Sequence, residues 1–139
     1  MREPRGGAMT DPIAMQADGV QVTPGSDEAI TVPSGQAVTL QDVIWNAPGP
    51  DGLVARFRFV APAIARDGGA VDFDTASADM QALCQVYALA RLSEFGPMPS
   101  QVIISMADRA VPFGEAAPDA TQFFEAYSID GNTCIWEAF

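Results

Sequence analysis

Alternation of apolar and polar side chains is clearest in residues 53–60, where Phe57 and Phe59 fall on one face and two arginines fall on the other. This period of two predicts a strand with one buried face. Weaker patterns predict strands over residues 29–32 and 38–45. A loop rich in Pro and Gly joins 38–45 to 53–60, so these two strands are expected to pair as a hairpin. The apolar face of the strand over 38–45 consists of Val38, Leu40 and Ile44.

A spacing near 3.6 residues predicts one main helix, which begins at about residue 76 or 78 and ends at Leu92. Thr75 or Ser77 is expected to cap its start, and Gly96-Pro97 is expected to stop it. The apolar stripe that this helix would bury consists of Met80, Leu83, Cys84 and Tyr87.

Three further strands are predicted after the helix. Residues 102–106 are apolar and rich in β-branched side chains, which is typical of a buried central strand. Residues 121–129 and 133–139 are expected to form a C-terminal hairpin around the turn Asp130-Gly131-Asn132. A helix over 121–127 is the competing interpretation, because the aromatic residues there also fit a helical spacing.

These elements give an α+β fold with the order β-β-β-α-β-β-β. A mostly antiparallel sheet of about six strands packs on the one main helix. Residues 29–139 are expected to form this single domain, and residues 1–28, poor in large apolar side chains, a flexible N-terminal arm. The hairpin register stays open: a two-residue turn places Glu125 opposite Trp136, and a three-residue turn places it opposite Glu137.

The charge balance excludes several classes of function. The formal net charge is −11, and the chain contains neither Lys nor His. Such a surface repels phosphate backbones, so no nucleic-acid partner is expected. Without His or Lys, one chain cannot assemble a serine-hydrolase triad, a Cys–His dyad or a Schiff base. We therefore expect no catalytic residues, no metal site and no cofactor.

No stretch of the chain is apolar for long enough to predict a membrane span. The first 28 residues lack the apolar region of a signal peptide. The default expectation is therefore a soluble cytoplasmic protein. A trimmed N-terminus would remove this argument and leave a periplasmic location open.

The two cysteines form a candidate disulfide. Cys84 lies on the helix stripe and Cys134 on the last predicted strand, 50 positions later. If the helix crosses the sheet over that strand, a bond between them would close a loop that stabilises the fold by about 4 kcal/mol. This bond requires an oxidising compartment. Two separate buried thiols are the alternative, and the sequence does not choose between them.

The arginines are the candidate anion-binding residues. Arg56 and Arg58 share one strand face, and Arg109 follows the predicted central strand. A guanidinium binds carboxylates and phosphates through paired hydrogen bonds. Pairing with local carboxylates is the commoner fate of such residues in an acidic protein. The acids of the second half are expected to be solvated: Asp108, Glu115, Asp119, Glu125 and Glu137.

Aromatic residues gather in the predicted C-terminal hairpin, and not all of them can face the helix. Burial in the core is the default for such side chains. An exposed aromatic patch would be typical of a partner-binding surface. The candidate partner surface consists of Phe123, Tyr127, Trp136 and Phe139.

From about residue 30 to residue 139 the chain resembles an uncharacterised bacterial family of small proteins. Some members carry the label acetolactate synthase, and some are exported. That label implies thiamine diphosphate, a metal and a much longer chain. Its Gly-Asp-Gly motif with a downstream Asn-Asn does not occur here, because the two asparagines are Asn46 and Asn132. The segments that carry the resemblance are VPSGQ (32–36), RFRFVAP (56–62), DMQALC (79–84), QVIISMADR (101–109), TQFFE (121–125) and CIWEAF (134–139).

These observations favour a non-enzymatic domain that binds a protein partner. A regulatory domain that binds a small anion or effector is the second hypothesis. An enzyme restricted to carboxylate or thiol chemistry is the third. The identity of a partner and the oligomeric state are not encoded in any pattern recognised in the chain.

Overall fold

A computed structural model describes residues 14–15, 21–49, 52–65, 68–94, 99–112 and 117–137. The described strands form one sheet whose spatial order follows the chain order. Neighbouring strands are antiparallel except for β4 and β5, which are parallel and are connected through the helix. The predicted α+β fold, a mostly antiparallel sheet on one main helix, is confirmed. The strands are β1 (Ala14–Met15), β2 (Gln21–Pro24), β3 (Thr39–Gly49), β4 (Gly52–Val60), β5 (Gln101–Ala107), β6 (Gln122–Asp130) and β7 (Thr133–Glu137).

The helix begins earlier than the sequence predicts. Helix α1 spans Phe73–Ala82, and the side chain of Asp72 caps it by accepting a hydrogen bond from the Thr75 N–H at 2.9 Å. The predicted caps Thr75 and Ser77 therefore lie inside the helix, because an extended Asp72 satisfies the first N–H groups instead. The predicted stop at residues 96–97 lies outside the described residues. The helix continues as a π-helical segment, Leu83–Ala88, and a 3₁₀ segment, Leu89–Glu94.

The helix stripe and one face of the sheet form the core. The side chains of Met80, Leu83 and Cys84 are at most 1% exposed. The ring of the partly buried Tyr87 contacts Phe57 and Phe59 edge to face, at 6.4 and 5.7 Å between centroids. The alternation in β4 thus buries the predicted phenylalanine face under the helix, as one-sided burial of the sheet requires. The sheet contributes Ala55, Phe57, Phe59, Val102, Ile104 and Met106 to this core.

Strand β3 changes its buried face along its length, which the sequence pattern does not predict. Val38 and Leu40 belong to the core under the helix, but Ile44 does not. The pairing with β4 shifts between Leu40 and Asp42, so Ile44 pairs with Arg56 and lies on the face turned away from α1. A bulge of this kind adds a residue to one strand and reverses the alternation beyond it. The prediction that Val38, Leu40 and Ile44 share one face is therefore wrong.

Two segments before β3 differ from the sequence predictions. Residues 29–32 are not a strand; the Ile30 N–H donates to the Val38 carbonyl at 2.9 Å beside a turn. The predicted pairing of β3 with β4 forms, and the strand that pairs with the other side of β3 is β2, which lies in the segment predicted as a mobile arm. In this pair the Trp45 indole N–H donates to the Thr23 hydroxyl at 2.7 Å. Pairing satisfies backbone groups of β3 that would otherwise form an open edge.

The C-terminal hairpin forms as predicted, and the competing helix does not. Its turn is Gly131-Asn132, and Gly131 adopts φ +61°, a left-handed conformation that glycine adopts without strain. Asp130 and Thr133 pair across this turn, so Tyr127 lies opposite Trp136. This register differs from both predicted alternatives, which placed Glu125 opposite either Trp136 or Glu137.

Candidate functional site

A disulfide and two glutamines fix the C-terminal hairpin against the helix. The sulfur atoms of Cys84, in the π-helical segment, and Cys134, on β7, are bonded at 2.07 Å. The Gln81 amide donates to the Cys134 carbonyl at 3.1 Å, and the Cys134 N–H donates to the Gln85 side-chain oxygen at 3.0 Å. The helix therefore satisfies the outward backbone groups of an edge strand at this residue, which protects the edge from adding another strand there.

A buried carboxylate joins the helix to the sheet. Glu125 is 6% exposed and accepts hydrogen bonds from the Ser77 hydroxyl and the Tyr127 hydroxyl, both at 2.8 Å. Burial raises the pKa of Tyr127, and the hydrogen bond to the Glu125 carboxylate and its negative charge raise that pKa further. The expectation that Glu125 is solvated is wrong, because two hydroxyl donors compensate its burial. Both carboxylate oxygens of Glu125 therefore accept hydrogen bonds within the fold.

The structure divides the predicted partner surface. Tyr127 is fully buried, so it does not belong to an exposed surface. Phe123 is partly buried, and its ring contacts the ring of Phe73 at 5.2 Å. Trp136 is exposed, whereas Phe139 lies outside the described residues. Phe123 faces the core because it lies four residues before Tyr127 on β6, and residues an even number of positions apart share one face of a strand.

Two exposed apolar side chains, Phe124 and Ile135, were not predicted from the sequence as part of a partner surface. Phe124 is 49% exposed and Ile135 is 43% exposed, beside Trp136 at 55%. We refer to Phe124, Ile135 and Trp136 as the hairpin surface; it wraps around the edge strand, because Trp136, opposite Tyr127, lies on the helix side and Phe124 and Ile135 lie on the other face. Strand alternation was the available signal, because the burial of Phe123 places the adjacent Phe124 on the opposite face. The sequence alone did not reveal which of the two faces of β6 the helix covers.

The three candidate anion-binding arginines do not converge. Arg58 forms a paired interaction with Asp42, with nitrogen–oxygen distances of 2.6 and 2.7 Å. Arg109 lies beyond the end of β5, where it donates to the Asp119 carbonyl at 2.7 Å. It therefore cannot form one clamp with the pair on β4.

Arg56, unlike Arg58 and Arg109, donates only to a side-chain hydroxyl within the described residues. Its Nε donates to the Ser105 hydroxyl at 3.3 Å, and its guanidinium lies 5.8 Å from the centre of the Phe124 ring. Within the described ranges, no carboxylate oxygen lies within ion-pair distance of Arg56. Burial lowers the pKa of Arg56, and the positive charge of Arg58 lowers it further. We refer to Arg56, Ser105 and Phe124 as the Arg56 site.

An open cleft of about 470 Å³ lies at the start of α1. Its walls include Ile64, Val71 and Phe123. The carboxylate of Asp72 at its edge is occupied in capping the helix. Three or more side chains suited to hold a metal do not gather anywhere in the described part of the chain. Among the same residues, no helix is both long and apolar enough to cross a membrane.

The fold and these surfaces define a single-sheet α+β domain with an exposed apolar hairpin and a half-buried arginine. The chain belongs to a family of unknown function, DUF6497, whose model matches residues 13–139. No curated protein and no solved structure matches the chain. The resemblance to an uncharacterised family is thereby confirmed, and the description of that family assigns no activity.

Proposed function

We propose that this domain binds a protein partner through the hairpin surface and has no catalytic activity of its own. The observation that carries the proposal is the exposure of two apolar residues that project from opposite faces of the last strand, at the edge of the sheet: Ile135 is 43% and Trp136 55% exposed. Tryptophan is enriched at the centres of protein interfaces, where its burial contributes much of the binding energy.

The hairpin is suited to binding because it is held rigid before any partner arrives. The Cys84–Cys134 disulfide and the Gln85 contact attach β7 to the helix. A rigid surface loses less conformational entropy on association than a mobile one. Because the glutamines already occupy the outward backbone groups of Cys134, we expect the partner to contact side chains of the hairpin surface instead of extending the sheet there.

The residue inventory supports a role without catalysis. The chain contains no His and no Lys, which removes the commonest general bases and amine nucleophiles. The two cysteines are bonded to each other, so neither provides a thiolate. Glu125 is the buried acid nearest to the hairpin surface in sequence, and it is occupied by Ser77 and Tyr127.

Photo-crosslinking tests the proposal. A photo-reactive side chain replaces Trp136 in the protein expressed in its native host, and a matched variant carries it at Leu53. Leu53 is also exposed but lies on β4, about 14 Å away across three strand spacings. We expect one discrete adduct from position 136, reduced by the additional change Ile135→Asp, and no such adduct from position 53. Equal adduct patterns at both positions would contradict the proposal.

A further inference from the structure

Arg56 has an unusual environment among the arginines that the structure describes. Its only hydrogen bond within the described residues is the one from Nε to the Ser105 hydroxyl, at 3.3 Å. This leaves the two terminal nitrogens of the guanidinium available to a ligand. The other described arginines each donate to a carboxylate or a backbone carbonyl: Arg58 to Asp42, Arg91 to Tyr87 and Arg109 to Asp119.

Without a bound anion, the partial burial of the Arg56 charge is energetically unfavourable. The strand neighbours that pair with it are Ile44 and Ile103, and Ile44 is only 1% exposed. A half-buried positive charge between apolar side chains has lost part of its hydration. A negative group at Arg56 would offset this loss of hydration, and its attraction to the guanidinium would be stronger there than in bulk water.

We propose that Arg56 binds an acidic side chain of the protein partner, in a position where that partner also covers the Phe124 part of the hairpin surface. The inference rests on the proposed function, because Phe124 belongs both to the hairpin surface and to the Arg56 site. The partner would therefore present an aspartate or glutamate next to an apolar side chain. The carboxylate would receive hydrogen bonds from the guanidinium, and the apolar neighbour would contact the Phe124 ring.

The local charge favours a carboxylate over a phosphate. Arg58 is neutralised by Asp42 through two hydrogen bonds, so the site carries about one positive charge. A monoanionic carboxylate matches this charge and the planar geometry of one guanidinium. A phosphate group carries nearly two negative charges, and the net charge of −11 opposes its approach more strongly.

Two peptides that differ only in the acidic group test the chemistry of the site. The probes are acetyl-Asp-Phe-amide and acetyl-Asn-Phe-amide, added to isotope-labelled protein at millimolar concentration and followed by NMR. We expect the aspartyl peptide to shift the Nε–H resonance of Arg56 and the ring resonances of Phe124. The asparaginyl peptide is expected to leave both unchanged. Equal shifts from the two peptides, or none from either, would overturn the inference.

Substitutions test whether binding of the aspartyl peptide depends on Arg56 itself or on positive charge in general. Arg56→Gln is expected to weaken binding of the aspartyl peptide at least about tenfold, because it removes the paired charged hydrogen bonds. Arg56→Lys retains the charge and is expected to restore only part of the affinity. The matched control Arg109→Gln removes an exposed arginine beyond the end of β5 and is expected to leave the affinity for the aspartyl peptide unchanged. Stronger shifts from inorganic phosphate than from the aspartyl peptide would show that the assigned chemistry is wrong.

Crosslinking in the native host separates this inference from the proposed function. In a protein with the photo-reactive side chain at Ile135, which lies on the same face of the sheet as Arg56 and Phe124, the additional change Arg56→Gln is expected to reduce the adduct severalfold. Melting curves of each variant verify that the fold is retained. An adduct that persists undiminished in Arg56→Gln would overturn the role of Arg56 but leave the hairpin surface in place. No adduct even with Arg56 intact would overturn both.

Discussion

The Asp79 carboxylate on α1 accepts hydrogen bonds from both the backbone N–H and the hydroxyl of Ser34, at 2.9 and 2.5 Å. The Gln36 amide donates to the same carboxylate at 2.7 Å. Asp79 is completely buried, on the side of α1 that also buries Ala76 and Met80. The helix thereby holds the loop that precedes β3, and the donors of that loop compensate the burial of a charge.

Asp79→Ala is therefore expected to destabilise the protein by about 3 kcal/mol, because it removes three hydrogen bonds and leaves their donors without an acceptor. Urea unfolding followed by circular dichroism measures the change. Asp74→Asn is the control, since Asp74 is exposed in the first turn of the same helix, and we expect it to stay within about 0.5 kcal/mol of the parent. A loss at Asp79 no larger than at Asp74 would contradict this account of the loop.

Removal of the Cys84–Cys134 disulfide is expected to lower the free energy of unfolding by about 4 kcal/mol, because the bond closes a loop of 50 residues in the unfolded chain. Unfolding with and without a reductant measures the effect. The double variant Cys84→Ala, Cys134→Ala is the control and is expected to show no response to the reductant. Alkylation of native-source protein without reduction tests the bond directly: labelling at both residues would show that the pair is not oxidised there.

The raised pKa of Tyr127 predicts a loss of stability at alkaline pH. The folded protein retains the phenolic proton that an unfolded tyrosine releases near pH 10, so the unfolded state binds fewer protons above that pH. The contribution of Tyr127 to the free energy of unfolding is therefore fully present below about pH 10. Above that pH it declines by about 1.4 kcal/mol per pH unit.

The variant Tyr127→Phe isolates this effect, since it lacks the ionising group but preserves the ring. Urea unfolding between about pH 9 and pH 11 is expected to give a steeper decline for the parent than for Tyr127→Phe. The variant is also expected to be less stable by about 1 kcal/mol at neutral pH, because it removes the hydrogen bond to Glu125. Parallel pH profiles for the two proteins would show that Tyr127 ionises as freely in the fold as outside it.

The two tryptophans are expected to respond differently to solvent. Trp45 is 3% exposed, with its ring 5.7 Å from Phe57, whereas Trp136 is 55% exposed. Single-tryptophan variants separate them: Trp45→Phe retains the exposed indole, and Trp136→Phe retains the buried one. We expect acrylamide to quench the exposed indole several times more strongly and its emission to lie at longer wavelength. Comparable quenching in both variants would refute the exposed hairpin surface on which the proposed function depends.

The sequence determined the elements whose formation depends on neighbours along the chain. The period of two in β4 predicted its buried phenylalanine face, and the helical stripe around Met80 predicted the side of the helix that packs on it. The residues Asp130-Gly131-Asn132 predicted the C-terminal hairpin, because only a few residue types permit such a tight turn. These features depend on local backbone preferences and on the burial of apolar side chains. Both can be predicted from the residues of one segment, without knowledge of the rest of the fold.

The tertiary structure alone decided which groups meet across the sheet. The bulge in β3 moved Ile44 to the opposite face beside Arg56, and the strand that pairs with β3 came from the segment expected to be an arm. Asp79 became buried because donors from residues more than forty positions away reached it. Strand register and partner choice depend on the summed energy of such distant contacts, and no local pattern of residues contains that sum.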